Sequence, residues 1–253
     1  MTPIGAAVRS ELLKQHSTRT RSGLLAAMVA LVAAAVLLHV FTLAGQVLAA
    51  GDNQLKVVGW GTSLGALFAA VFGALSITSE IRHGTIRPTL LATPGRGRVI
   101  AAKVTAAAVT GAGFGLIAQA AAVGLASAGL AARSIPVAFN GGDIAQLLAG
   151  GAAAAALWAA IGVGVGAVTR NQVGAVVGLC VWLLAAETSL IGSIPSIGKF
   201  APGELAGALA GAIQEQTAST NLVAPALGGL LLVAYAAAFF VAGSIATTRR
   251  DIS

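Results

Sequence analysis

The chain alternates between long apolar blocks and short polar stretches. Six blocks cover residues 24–44, 57–79, 100–126, 144–168, 173–191 and 222–246. Each is near the length of about 20 mostly apolar residues that an α-helix needs to cross a bilayer. The charged residues gather in the flanks of these blocks, as expected where backbone polar groups are satisfied inside helices. Long β-branched alternation is absent, which argues against a membrane β-barrel. The pattern therefore predicts an all-α integral membrane protein with six transmembrane helices in a single transmembrane domain over 1–253.

Three shorter segments complete the prediction. In residues 1–23, Thr2-Pro3 suits an N-cap and a first-turn proline. Ile4, Val8 and Leu12 recur at helical spacing while Arg9, Lys14 and Gln15 take other faces. That pattern predicts an interfacial helix lying along the membrane. Its polar start is too long for a secretory leader, despite a weak cleavage-like Val47-Leu48-Ala49, so the first span is expected to be retained. Residues 80–99 contain Arg87-Pro88 and a Thr93-Pro94-Gly95 stop, predicting a short arginine-rimmed helix between glycine turns. Residues 192–221 hold Pro195, Pro202 and an apolar stretch, 205–213, too short to span. They predict one or two short helices forming an outer re-entrant segment.

Composition agrees with a lipid solvent. Hydrophobic residues make up 57% and charged residues 9%, with a mean hydropathy of +0.90. A soluble domain carries about a quarter charged residues, so a soluble enzyme, a disordered chain and a disulfide scaffold are excluded. Fifteen Lys and Arg against eight Asp and Glu give a net charge of +7. Between apolar blocks that excess points to the membrane rather than to nucleic acid as partner. Twelve of the fifteen fall on one side of the predicted topology, leaving Lys56, Arg133 and Lys199 on the other. The positive-inside bias places both termini in the cytoplasm. The Ala and Gly excess suggests a bacterial chain, so the expected location is a bacterial cytoplasmic membrane. Cys180 lies alone in an apolar block and is expected to be inert.

No catalytic, cofactor-binding or metal constellation is present: there is no H-E-x-x-H, G-x-S-x-G or clustered Cys/His set. His16, His39 and His83 are far apart in the topology. The nearest approach to a phosphate-binding loop, Gly192 to Lys199, has the wrong spacing and lies outside. If ATP drives this protein, another chain binds it. Glu187 is the acid deepest in a predicted span. Such a group is costly in lipid and faces the bundle interior, either as a pathway or gating residue or bonded to nearby helix-end and outer-loop groups. His39 and Gln119 are polar residues within spans, expected to bond between helices. Small-xxx-small pairs at Gly61/Gly65, Gly111/Gly115, Gly162/Gly166 and Gly174/Gly178 predict close helix packing.

The stretch Glu80-x-Arg82-His83-Gly84-Thr85-Ile86, followed by Leu90-Leu91, Thr93-Pro94, Arg96-x-Arg98 and Lys103, resembles the permease subunits of ABC type-2 exporters. Ser10-Glu11-Leu12-Leu13-Lys14 and Thr18-Arg19-Thr20-Arg21 are similar to small actinobacterial-type members. Gly95 and Gly97 depart from the bulkier residues usual there. The resemblance implies that residues 80–99 form a coupling helix fitting a groove on an ATP-binding subunit. Glu80, Arg82, His83, Gly84, Thr85, Ile86, Leu90, Leu91, Pro94, Arg96 and Arg98 would be its coupling residues. It also implies two ATP-binding subunits holding ATP and Mg, a second permease copy or paralogue, and no enzymatic activity in this chain. Export of hydrophobic drugs or lipids would fit its apolar character. The alternatives are a secondary, proton-linked transporter or channel using Glu187, and a structural membrane anchor. No repeat relates the first three spans to the last three, as secondary transporters usually show.

Overall fold

The computed structural model describes residues 3–84, 96–212 and 223–249. Among them there is no β-strand, and six helices are long and apolar enough to cross a membrane. A short helix α1 (Pro3–Ser17) breaks at Thr18, whose extended backbone starts α2 (Arg19–Thr42). A one-turn α3 (Gly45–Leu48) leads to α4 (Gly51–Arg82), and α5 (Arg96–Ala132) and α6 (Gly141–Thr169) follow. The fifth of these long apolar stretches is composite: α7 (Gln172–Val181), a π-helical turn (Trp182–Ala186) and α8 (Glu187–Ser193). Short α9 (Pro195–Gly198) and α10 (Pro202–Ala210) precede α11 (Pro225–Arg249).

The helices exceed the apolar blocks because polar end residues continue them. At 1.5 Å per residue α4 is about 48 Å and α5 about 55 Å long, well beyond a hydrocarbon core of about 30 Å. Their overhangs shorten the connection expected over 80–99. Glu80 and Arg82 lie within α4, and Arg96 and Arg98 within α5. Asn140 and Asp143 begin α6 with a reciprocal capping box, which satisfies two otherwise orphaned N–H groups. Gly84, at φ +68°, ends α4 in the left-handed conformation that disfavours a side chain.

The centre of the bundle is α4, α5 and α6, with α11 against α6, α2 against α5 and α4, and α7 against α4. Small residues set the spacing. A Cβ on Gly111 would come within 2.7 Å of the Ala155 carbonyl oxygen, and Gly162 abuts the Ala70 backbone. Gly61 and Gly65 face Gln119, Ala122 and Ala118. Three of the four small-xxx-small pairs thus line contacts within this chain. The fourth does not: a Cβ on Gly174 meets only Asn171, and Gly178 has open space. Gly111→Ala is accordingly expected to lower stability by about 1–3 kcal/mol through overpacking. Gly178→Ala is expected to raise it by up to ~1 kcal/mol through helix propensity. Thermal unfolding of the detergent-purified chain measures both. The reverse order would contradict this packing.

Candidate functional site

The end of the bundle that carries Arg82, Arg98 and Arg170 is built around a buried ammonium. Lys103, seven residues into α5, is 2% exposed, among the most buried side chains in the protein. Its Nζ donates to Glu11 Oε2 of α1 at 2.7 Å, to Glu80 Oε1 of α4 at 2.9 Å and to the Ser76 carbonyl oxygen at 3.3 Å. Three donors meet three acceptors, which is all an ammonium can offer. Lys14 completes the cluster at 2.9 Å from Glu11 and 3.6 Å from Glu80. Among the described residues two lysines balance two carboxylates, so that set is neutral as a unit. Such pairing is what makes charge tolerable inside a low-dielectric bundle.

This cluster decides how α1 sits. The expected apolar stripe of Ile4, Val8 and Leu12 is not what α1 buries most deeply; Glu11 and Gln15 are. Gln15 Oε1 accepts from Thr110 of α5 at 2.6 Å, while Ile4 and Leu13 point outward, 45% and 62% exposed. Strong polar contacts to α5 outweigh the hydrophobic pattern of a helix only fifteen residues long. Thr2 lies outside the described residues.

The titration of α1 follows from this geometry. Burial alone would push the Glu11 carboxyl up, but Lys103 and Lys14 more than offset it, holding it below its ordinary value of 4.5. Burial opposes the Lys14 charge too, and Glu11 and Glu80 more than compensate, raising it above 10.5. A depressed carboxylate contributes stability present above 4.5 and lost as pH falls through its folded value. A raised lysine contributes stability present below 10.5 and lost as pH rises through its folded value. The docking of α1 is therefore expected to be flat between these limits and to weaken on either side. Hydrogen exchange of the α1 amides against pH checks this. A midpoint near neutrality would contradict it.

The expected coupling residues divide. Glu80 is held by Lys103 and Lys14 rather than offered outward, and Arg98 is exposed. Arg82 is exposed and reaches the Gln172 amide oxygen at 3.5 Å. His83 Nδ1 lies 2.7 Å from the Ser79 carbonyl oxygen, closing the helix end beside Gly84. Thr85, Ile86, Leu90, Leu91 and Pro94 lie outside the described residues. Beside the cluster, a half-open cavity of about 630 Å³ runs between α1, the start of α2, α4 and the start of α7.

At the opposite end, Glu187 is 3% exposed and directed inward just after the π-helical turn. One of its carboxylate oxygens accepts from the backbone N–H of Gly203 at 2.6 Å and of Glu204 at 2.9 Å. These are first-turn donors of α10, whose own N-cap, Ala201, supplies no side-chain bond. Glu187 is thus the cap of α10, supplied from another helix, with carboxylate at the positive end of the helix dipole. Gly203 leaves room for it, since a Cβ there would lie 2.7 Å from the carboxylate. Helix α10 packs against α11, α6 and α4 and is largely buried. The segment expected over 192–221 thus contains two short helices in its described part, up to Ala212, and the second is enclosed by protein.

The other polar residues within the long apolar helices have structural partners. Gln119, fully buried, accepts from Thr62 Oγ1 at 3.1 Å and donates to the Val58 carbonyl at 3.2 Å, joining α5 to α4. His39 Nδ1 meets the Ala35 carbonyl of its own helix at 2.8 Å, and its ring packs on Trp60 at 5.4 Å. Sequence reasoning treated Lys103 as one more flanking cation. The signal that could have found its role was a lysine already inside the apolar block 100–126, which in lipid requires an acid.

No known protein-family model matches the chain, and no curated protein matches it.

Proposed function

We propose that this chain is the membrane-spanning permease subunit of an ATP-driven exporter of the ABC type-2 kind, without catalytic activity of its own. In this reading both termini and the Arg82 end face the cytoplasm of a bacterial cell, because twelve of fifteen Lys and Arg fall on that side of the topology read from the sequence. Two ATP-binding subunits, holding ATP and Mg, dock on residues 80–99, and a second permease copy or paralogue completes the pathway. Helices α9 and α10 form a re-entrant segment at the exit.

The observation that carries the reading is the Lys103 tripod. It ties α1 to the ends of α4 and α5 that bracket the coupling segment. A displacement imposed on that segment by an ATPase would move three helices together instead of being absorbed in a loose loop. The secondary-transporter reading rested on Glu187, and the bonds from Glu187 to α10 provide a structural use for that carboxylate.

Arg82 is the described coupling residue best suited to a test, because it is exposed and outside the ionic cluster. Arg82→Glu is expected to reduce ATP-dependent transport about tenfold or more, while stability stays within ~0.5 kcal/mol, as for surface changes generally. Transport into inverted vesicles, with melting of the purified variant, provides the check. Unchanged transport would sink the coupling assignment.

A further inference from the structure

The lining of the cavity beside the Lys103 cluster is graded. Along α4 it is walled by Phe72 and Leu75 at the deep end and by Arg82 at the rim. Ten residues of helix separate Phe72 from Arg82, about 15 Å along the axis. That is about half the hydrocarbon thickness of a bilayer. Its volume of about 630 Å³ lies within the range of small-molecule sites, about 300–1,000 Å³.

The polar end offers donors. Gln15 is 94% buried, and its Nε2 has no hydrogen-bond partner although its Oε1 is held by Thr110. A buried amide N–H₂ left unbonded is costly, and Gln15 is one of the residues around the cavity. Lys14 stands one residue away. Arg82 contributes a guanidinium whose contact to Gln172 is long, at 3.5 Å. Glu11 and Glu80 also line the cavity, but Lys103 and Lys14 neutralise them. Among the described residues around the cavity, Arg82 therefore leaves one positive charge in excess.

We propose that this cavity binds an anionic amphiphile. Its phosphate head is held by Arg82, Lys14 and the Gln15 amide, and its apolar chain lies along Leu75 and Phe72. Arg and Lys suit phosphate oxygens through charge-assisted hydrogen bonds. A polar rim above an apolar floor matches a head attached to a tail rather than a free anion. The site stands whether or not an ATPase partners the chain, because its described lining comes from this chain's own α1, α4, α7 and the start of α2.

The test uses the full chain in nonionic detergent, with three probes titrated by calorimetry. Oleoyl-lysophosphatidate carries head and tail, monooleoylglycerol the tail without phosphate, and inorganic phosphate the head alone. The wild type is expected to bind oleoyl-lysophosphatidate at least ~tenfold more tightly than either half, a difference typical of a few lost charge-assisted contacts. Gln15→Leu and Arg82→Gln are each expected to weaken that binding about tenfold. Arg82 is exposed and packs against little, so Arg82→Gln keeps the test valid if Gln15→Leu disturbs α1. Equal binding of monooleoylglycerol would remove the head site. Equal binding of inorganic phosphate would remove the tail site. Wild-type affinity in Arg82→Gln would overturn the assignment altogether. None of these readouts involves transport or ATP, so failure here is separable from failure of the permease reading.

Discussion

Replacing Lys103 with methionine is expected to destabilise the protein by about 3–5 kcal/mol, the range for breaking a buried ion pair by removing one partner. Methionine matches the length of the aliphatic stem and leaves no large cavity. What it removes is the charge that Glu11 and Glu80 share at 2.7 and 2.9 Å. Lys14 cannot replace it, because it is about half exposed and already engaged with both acids. The two carboxylates must then protonate, or α1 must leave the bundle. The companion variant decides between a charge effect and a packing effect. Glu11→Gln and Glu80→Gln added to Lys103→Met remove the stranded charges and are expected to recover most of the loss, since a buried ion group replaced as a whole is often near neutral. Thermal unfolding in detergent measures the series. Equal instability of the single and triple variants would place the role of Lys103 in packing.

Glu187→Leu is expected to release α10 from the far end of the bundle. The N–H groups of Gly203 and Glu204 lose their acceptor, and each orphaned buried donor costs about 1–3 kcal/mol. Hydrogen exchange at Gly203 and Glu204 is expected to accelerate, while the central α4, α5 and α6 amides stay protected. Glu187→Gln keeps a carbonyl oxygen in the same place and is expected to restore most of the protection. The same pair of variants separates two functions. A capping role predicts that glutamine supports transport and leucine does not. A proton-carrying carboxylate predicts that glutamine fails as completely as leucine, because an amide cannot bind and release a proton in the working range.

The six long apolar helices were legible because length and apolarity are local properties, the ones that lipid demands of a spanning helix. Their ends were not, because polar residues such as Glu80 and Arg82 continue a helix as well as they end one. Close packing through Gly61, Gly65, Gly111, Gly115, Gly162 and Gly166 followed from spacing, yet Gly174 and Gly178 share the spacing and face open space. Spacing names a face of a helix without naming what lies opposite. The same limit hid the ionic cluster. Glu11, Glu80 and Lys103 come from three elements up to 92 residues apart, and pairing at that distance is set by helix packing. For Glu187 the sequence left a pathway role and a structural role open. The Gly203 and Glu204 N–H groups that now favour the structural one come from a short helix whose position no periodicity fixes.

The most direct test of the permease account is to tag the chain in its host, extract it in mild detergent and weigh what comes with it. The account predicts an ATP-binding subunit co-purifying one to one. A chain that purifies alone and moves solute across liposome membranes without ATP would contradict it.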